Sequence, residues 1–256
     1  MKIKFIGVGS AFTSQQYYQS NMLITSRSGK KLLIDCGSDA RFSLKESGIR
    51  QEDLNDTIDG VYISHLHADH IGGMEWLSLC TYFGSDGKRP SLFMEREHMK
   101  DMWNNSLKGG LERVNKKIMH LTDYFFCHPL DPNGSFVWEN IHFKLYKMPH
   151  IKTNYHDHDS FGLLIEENGN TCFISTDTQF KADLLTQISG KTDLIFRDCE
   201  TSSFPTTVHA HYDELFTISL DIKKKIWLYH YQPTDINPQK DGFKGFIIKG
   251  QEFDIS

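Results

Sequence analysis

A chain of 256 residues with 39% hydrophobic and 24% charged residues has the make-up of a folded globular protein, not of a disordered or fibrous one. The net charge of −5, without any long basic block, gives no general support for capture of a long nucleic acid. Apolar runs such as Phe161 to Ile165 fall well short of the roughly 20 residues needed to cross a bilayer.

In chain order, Lys2 to Ile6 alternates and meets Gly7-Val8-Gly9-Ser10, a strand entering a tight turn. Asn21 to Thr25 and Lys31 to Ile34 flank Ser28-Gly29 and read as a hairpin. Gly60 to Ile63 is a β-branched and aromatic strand that stops at Ser64-His65. Met74 to Phe83 has helical spacing; Leu92 to Met94 is a short strand and Glu95 to Asn104 a helix. Strands are expected at Ile141 to Lys147, Phe161 to Glu166, Thr171 to Ile174, Leu194 to Phe196 and Ile226 to Tyr229. Helices are expected at Lys181 to Ile188 and His211 to Leu220. Two groups of strands with helices between them suggest a layered α/β protein with the sheets inside, and no linker or repeat divides residues 1–256.

The N-terminal Met1 to Ile6 has no long apolar signal core, so a cytoplasmic address is the default expectation. Cys36, Cys80, Cys127, Cys172 and Cys199 are odd in number and form no CxxC pair, which fits neither a disulfide framework nor a zinc finger. Cys172 and Cys199 lie in or beside apolar runs and read as buried thiols.

The positions of the 13 histidines carry the functional signal. Ser64-His65-Leu66-His67-Ala68-Asp69-His70 places four metal-competent side chains directly after a strand. Alternation puts His65 and His67 on one side, while Asp69 and His70 follow the turn and can face a second ion. His150, Asp177 and His230 each follow the end of a further apolar run. A histidine-rich loop alone occurs by chance; three more ligand types at strand ends make a composite metal site. Zinc suits the imidazole and carboxylate donors, and manganese or iron also fit them.

With the Gly7-Val8-Gly9 turn, Asp35-Cys36-Gly37, the HxHxDH cluster and Ser175-Thr176-Asp177-Thr178, the chain resembles the metallo-β-lactamase superfamily over nearly its whole length. That resemblance implies a four-layered αβ/βα sandwich and a two-metal hydrolase. It assigns His65, His67 and His150 to one ion, Asp69, His70 and His230 to the other, and Asp177 to both. Asp35 either orients a ligand histidine or serves only as the turn residue before Gly37. His67 argues against the oxygen-reducing di-iron branch, where a carboxylate stands there.

Asp198-Cys199-Glu200-Thr201 followed by Val208-His209-Ala210-His211 resembles the acid and histidine of RNase Z-type phosphodiesterases. Breaking a phosphodiester benefits from a proton donor for the ribose oxygen. The resemblance gives that role to His209, held by Asp198, and adds Asp69 to the catalytic set; His211 and Glu200 are rivals for the two positions. The tRNA-processing members carry a long arm between the residues matching His150 and Asp177, and here the separation of 27 has no room for one. The compact layout resembles instead the phage anti-Pycsar phosphodiesterases. The expectations that follow are a cyclic mononucleotide substrate such as cCMP, cUMP, cAMP or cGMP, a homodimer, and the host cytoplasm if the chain is phage-encoded. The alternatives are a tRNA 3′-processing endonuclease and a non-catalytic module that sequesters a nucleotide. Tyr155-His156-Asp157-His158-Asp159 reads as a solvated polar loop, with a place in the substrate pocket as its other reading. Tyr124-Phe125-Phe126 reads as core, with base stacking as the alternative.

Overall fold

Leu32, Leu33 and Ile34 are all buried, yet they serve two different cores. Leu32 and Ile34 point into one apolar cluster and Leu33 into another. Val61, Tyr62 and Ile63 divide in the same way. A strand buried on both faces has this period-2 split and needs a layer on each side.

The structure, a computed structural model, describes residues 1–84, 88–155 and 157–255. Its first sheet begins with β1 (Lys2–Phe5), β2 (Met22–Thr25), β3 (Lys31–Ile34), β4 (Ile58–Ile63) and β5 (Ser91–Glu95). After a small hairpin of β6 (Arg113–Val114) and β7 (Lys117–Ile118), β8 (Phe126–Leu130) completes one edge. The second sheet holds β9 (Ser135–Trp138), β10 (Ile141–Ile151), β11 (His158–Glu167), β12 (Asn170–Ile174), β13 (Leu194–Asp198), β14 (Ile226–Tyr229) and β15 (Gly245–Phe246). The chain ends at β16 (Glu252–Asp254), which pairs antiparallel with β1. The strand orders are β16-β1-β2-β3-β4-β5-β8 and β15-β14-β13-β12-β11-β10-β9.

Ile3, Phe5, Ile24 and Tyr62 meet Phe143, Leu163, Ile174 and Phe196 between the sheets. Outside the first sheet, Leu33 and Val61 pack with Leu44 of helix Ala40–Glu46 and Leu77 of helix Met74–Gly84. Outside the second, Phe173 and Ile195 pack with Leu185 of helix Ala182–Ser189 and Leu215 of helix Tyr212–Phe216. Helix, sheet, sheet, helix is the four-layered αβ/βα sandwich of the metallo-β-lactamase fold. Among the described residues no helix is long and apolar enough to cross a membrane, and all five cysteines are free thiols, with Cys172 and Cys199 buried.

Both sheets are antiparallel on one side and parallel on the other, with β3, β4, β5 and β8 parallel in the first and β12 to β15 parallel in the second. Ligand sites form outside the carboxyl ends of parallel strands, where loops converge and backbone groups are free. Here β4, β12, β13 and β14 deliver those ends to one edge of the sandwich.

Several elements differ from the sequence expectation. β10 does not stop at Lys147 but reaches Ile151, with its pairing to β11 breaking register between Met148 and Ile151. His150 therefore sits in an irregular stretch inside a strand, not after one. The helix expected over His211 to Leu220 closes at Phe216, and a separate turn, Leu220–Lys223, begins after Ser219. Thr217 and Ile218 are β-branched residues that hold a helix poorly.

Candidate metal centre and proton-donor pair

The chain turns sharply at His67, the extended residue that opens the short helix Ala68–Ile71. That turn separates His65 and His67 from Asp69 and His70. The helix is fastened to the loop after β3, because Cys36 N–H donates to the His70 carbonyl at 2.8 Å and Gly73 N–H to the Cys36 carbonyl at 2.9 Å. A Cβ at Gly37 would stand 2.2 Å from the Asp69 carbonyl oxygen, so only glycine permits this approach.

Asp35 has φ of 60° and sends its carboxylate beneath the cluster. It accepts from Ser64 N–H and Ser64 Oγ, both at 2.8 Å, and lies 2.7 Å from His70 Nδ1. Asp35 is thus both a turn residue and the partner of a cluster histidine. Thr176 and His230, at φ of 53° and 63°, share the left-handed conformation. Each such non-glycine residue costs on the order of 1–3 kcal/mol, a strain that functional edges concentrate.

Three groups of donors share Asp177: two are built on the cluster residues, and the third joins Asp177 to Asp198 and His209. In the first, His65 Nε2 and His150 Nε2 lie 3.0 and 3.1 Å from His67 Nδ1. Asp177 Oδ2 is 3.7 Å from His65 Nε2 and 4.0 Å from His150 Nε2. In the second, His70 Nε2 is 3.2 Å from Oδ2 of both Asp69 and Asp177. His230 Nε2 is 3.2 Å from Asp69 Oδ2 and 3.4 Å from Asp177 Oδ1. Within each group one donor atom per residue lies within 4.8 Å of all the others.

These donors suit divalent cations. Val208 offers only a carbonyl, so at 2.8 Å His150 Nδ1 must be the donor, and a neutral ring then points a bare Nε2 lone pair at His67. Burial pushes the His65 and His67 imidazoles down, and His150 to about 4, so they stay neutral and able to ligate. Burial acts likewise on His70, but Asp177, Asp69 and Asp35 outweigh it and raise that ring well above its usual range. Asp69 and Asp177 are buried carboxylates whose ionic partners, among the described residues, are histidines only. Asp177 Oδ1 is buried without a hydrogen bond. Converging lone pairs and buried anions with, among the described residues, no lysine or arginine in ion-pair contact call for metal cations.

Beside these groups, His209 Nδ1 lies 3.3 Å from Asp198 Oδ2 and 3.9 Å from Asp177 Oδ2. Its ring centre is 4.8 Å from that of His230. The rivals have other work. His211 caps helix Tyr212–Phe216 and its Nε2 donates to the Ser202 carbonyl at 2.9 Å. Glu200 accepts from Ser202 Oγ, Thr206 N–H and Thr206 Oγ1.

The solvated-loop reading of residues 155–159 fails for His158. It opens β11, and its ring stacks on His67 with centres 5.1 Å apart. A polar sequence between strands hid a ring drawn in by the register break of β10. His156 lies outside the described residues. Tyr124 and Phe125 are core, and Phe126 carries Arg89 over its ring at 4.3 Å. Arg197 was not singled out from the sequence. It is buried, pairs with Asp198, and reaches the Thr178 and Gln179 carbonyls at 3.4 and 3.2 Å. A lone arginine inside an apolar strand, directly before an acid, was the available signal.

With this geometry in place, the family model described as "Anti-Pycsar protein Apyc1" matches residues 1–253. The chain belongs to that family. A relative named anti-Pycsar protein Apyc1, from Bacillus phage vB_BveM-Goe7, is 35% identical over 239 residues, covering 90% of this chain and 88% of its own. Among solved structures, the metallo-β-lactamase fold protein YhfI from Bacillus subtilis superposes with a TM-score of 0.75 at 18% identity, covering 98% of each chain. Zn(2+)-bound PqqB from Methylobacterium extorquens also gives 0.75, at 14% identity, covering 99% of this chain and 100% of its own. At such identities the likeness is one of fold. Family, fold and donor groups together make this a metal-dependent hydrolase of the anti-Pycsar family.

Proposed function

We propose that the chain is a two-metal phosphodiesterase that opens cyclic mononucleotides, such as cCMP, cUMP, cAMP and cGMP, to nucleoside monophosphates. Its role would be to disarm cyclic-nucleotide signalling in bacterial immunity, as a phage protein in the host cytoplasm and as a homodimer. The observation that carries the reading is the pair of donor groups joined by Asp177, with His209 and Asp198 beside it.

His65, His67, His150 and Asp177 would hold one ion, and Asp69, His70, Asp177 and His230 the other; zinc is the proposed metal, with manganese or iron as alternatives. Such a pair, when bound, supplies an activated water and neutralises charge on a phosphoryl group. Asp35 fixes the tautomer of His70 so that Nε2 faces the site. With Nδ1 directed to Asp198, His209 has Nε2 left to protonate the departing ribose oxygen. A small substrate suits a site with no arm: the end of β10, with β11 and β12, takes up 16 of the 26 residues between His150 and Asp177.

Chromatography of cCMP, cUMP, cAMP and cGMP after incubation with the protein, with and without chelator, tests the reading. Metal-dependent conversion to monophosphates is expected. Turnover of a precursor tRNA alone would establish the endonuclease instead, and tight binding without turnover would establish sequestration.

A further inference from the structure

Outside the two donor groups, a cleft of about 470 Å³ opens with His209 in its wall and Phe180, Lys181, Pro205, Asp213 and Glu214 around it. We infer that this cleft is the nucleoside subsite and that Phe180 is the residue on which the base stacks. The inference rests on the phosphodiesterase reading.

Reaction geometry sets the direction. If the phosphoryl group lies at the donor groups and His209 protonates the oxygen that leaves, that oxygen belongs to the ribose. The nucleoside must then extend past His209, and the cleft that His209 lines is the space on that side. Its volume falls in the range of small-ligand sites, about 300–1,000 Å³.

The lining selects the occupant. Phe180 is half-buried and packed on the apolar cluster outside the second sheet, so its ring is held from beneath. Charge in the lining is one lysine, Lys181, against two carboxylates, Asp213 and Glu214. A second phosphate finds no surplus of positive charge there, whereas a neutral heteroaromatic base has a flat apolar face to meet. This favours a mononucleotide over a polynucleotide strand.

Another stretch of the lining is already built. Glu200, buried, holds Ser202 and Thr206, and His211 holds the Ser202 carbonyl, fixing the loop that carries Pro205. Those tethers spare the cost of ordering a wall when ligand arrives.

The test compares the metal-loaded protein with Phe180→Ala and Phe180→Leu; the leucine keeps the apolar contact beneath and so guards against loss of fold. KM for cyclic nucleotides is expected to rise about tenfold while kcat changes less than about threefold, the size of one lost stacking contact. In competition assays, a nucleoside monophosphate should inhibit the wild type about tenfold better than ribose 5-phosphate, and both variants should narrow that gap. Unchanged KM in a folded variant, or equal inhibition of the wild type by the two phosphates, overturns the subsite. Absence of any cyclic-nucleotide turnover by the wild type overturns the phosphodiesterase reading instead.

Discussion

Arg197 and Asp198, neighbours at the end of β13, form an ion pair with both side chains almost wholly buried. Asp198 also accepts from Thr178 N–H at 3.1 Å and faces His209 Nδ1 at 3.3 Å. Through the Thr178 and Gln179 carbonyls, the same guanidinium grips the segment just after Asp177. One arginine therefore ties the residue shared by both donor groups to the carboxylate beside His209.

Removing that tie should be costly. Arg197→Ala strands a buried carboxylate, and a loss of about 3–5 kcal/mol is expected, read by denaturant unfolding of the metal-free protein. A loss below 1 kcal/mol would mean that Asp198 relaxes toward water.

His209→Ala should leave metal content intact and lower kcat by about 10²- to 10⁴-fold, because only the proton for the leaving oxygen is withdrawn. Elemental analysis and steady-state kinetics on the same preparation separate this outcome from a collapsed site. Equal loss of metal and activity would instead make His209 part of the metal environment.

Asp35→Asn keeps the shape but no longer holds the His70 Nδ1 proton as a carboxylate does. Metal affinity should fall about 10- to 100-fold in competition with a chromogenic chelator. Unaltered affinity would reduce Asp35 to its turn.

Metal-free protein should lose stability as pH falls from about 6.5 toward about 4. His150 is held near 4 when folded and has an ordinary value of 6.5, so in that interval the unfolded chain binds the extra proton. His65 and His67 shift downward as well and add to the loss. His70 shifts upward, so its contribution is already complete below its ordinary value of 6.5 and stays constant across the interval. Melting temperatures measured with chelator between pH 7 and pH 4 provide the check. Metal should raise the melting point at pH 7, since ligand binding to the folded state alone stabilises it.

Much of this site was legible because its ligands are rare residue types placed at strand ends. His65 to His70 stands out in any reading of the chain, and Asp177 and His230 follow apolar runs that did become β12 and β14. The sandwich was legible from the two strand groups. What stayed hidden depends on contacts between distant segments. No local pattern distinguishes His209 from His211; only the position of the Asp198 carboxylate and the Ser202 carbonyl separates their partners. His158 looked like loop because its burial depends on where β10 loses register with β11. Arg197 is invisible to periodicity, which treats a charge in a strand as an edge or an error, whereas here surrounding carbonyls and a carboxylate satisfy it.

The first sheet supplies His65, His67, Asp69 and His70, and the second supplies His150, Asp177 and His230. Ligand spacing is thus governed by the alignment of two slabs whose broad contact, among the described residues, is apolar. A sliding movement of a fraction of an ångström between Phe5 and Phe196, whose rings sit 5.1 Å apart, would detune together every donor distance that runs from one sheet to the other. Trimming such a ring, which is itself no ligand, should therefore loosen grip on the ions before it melts the protein.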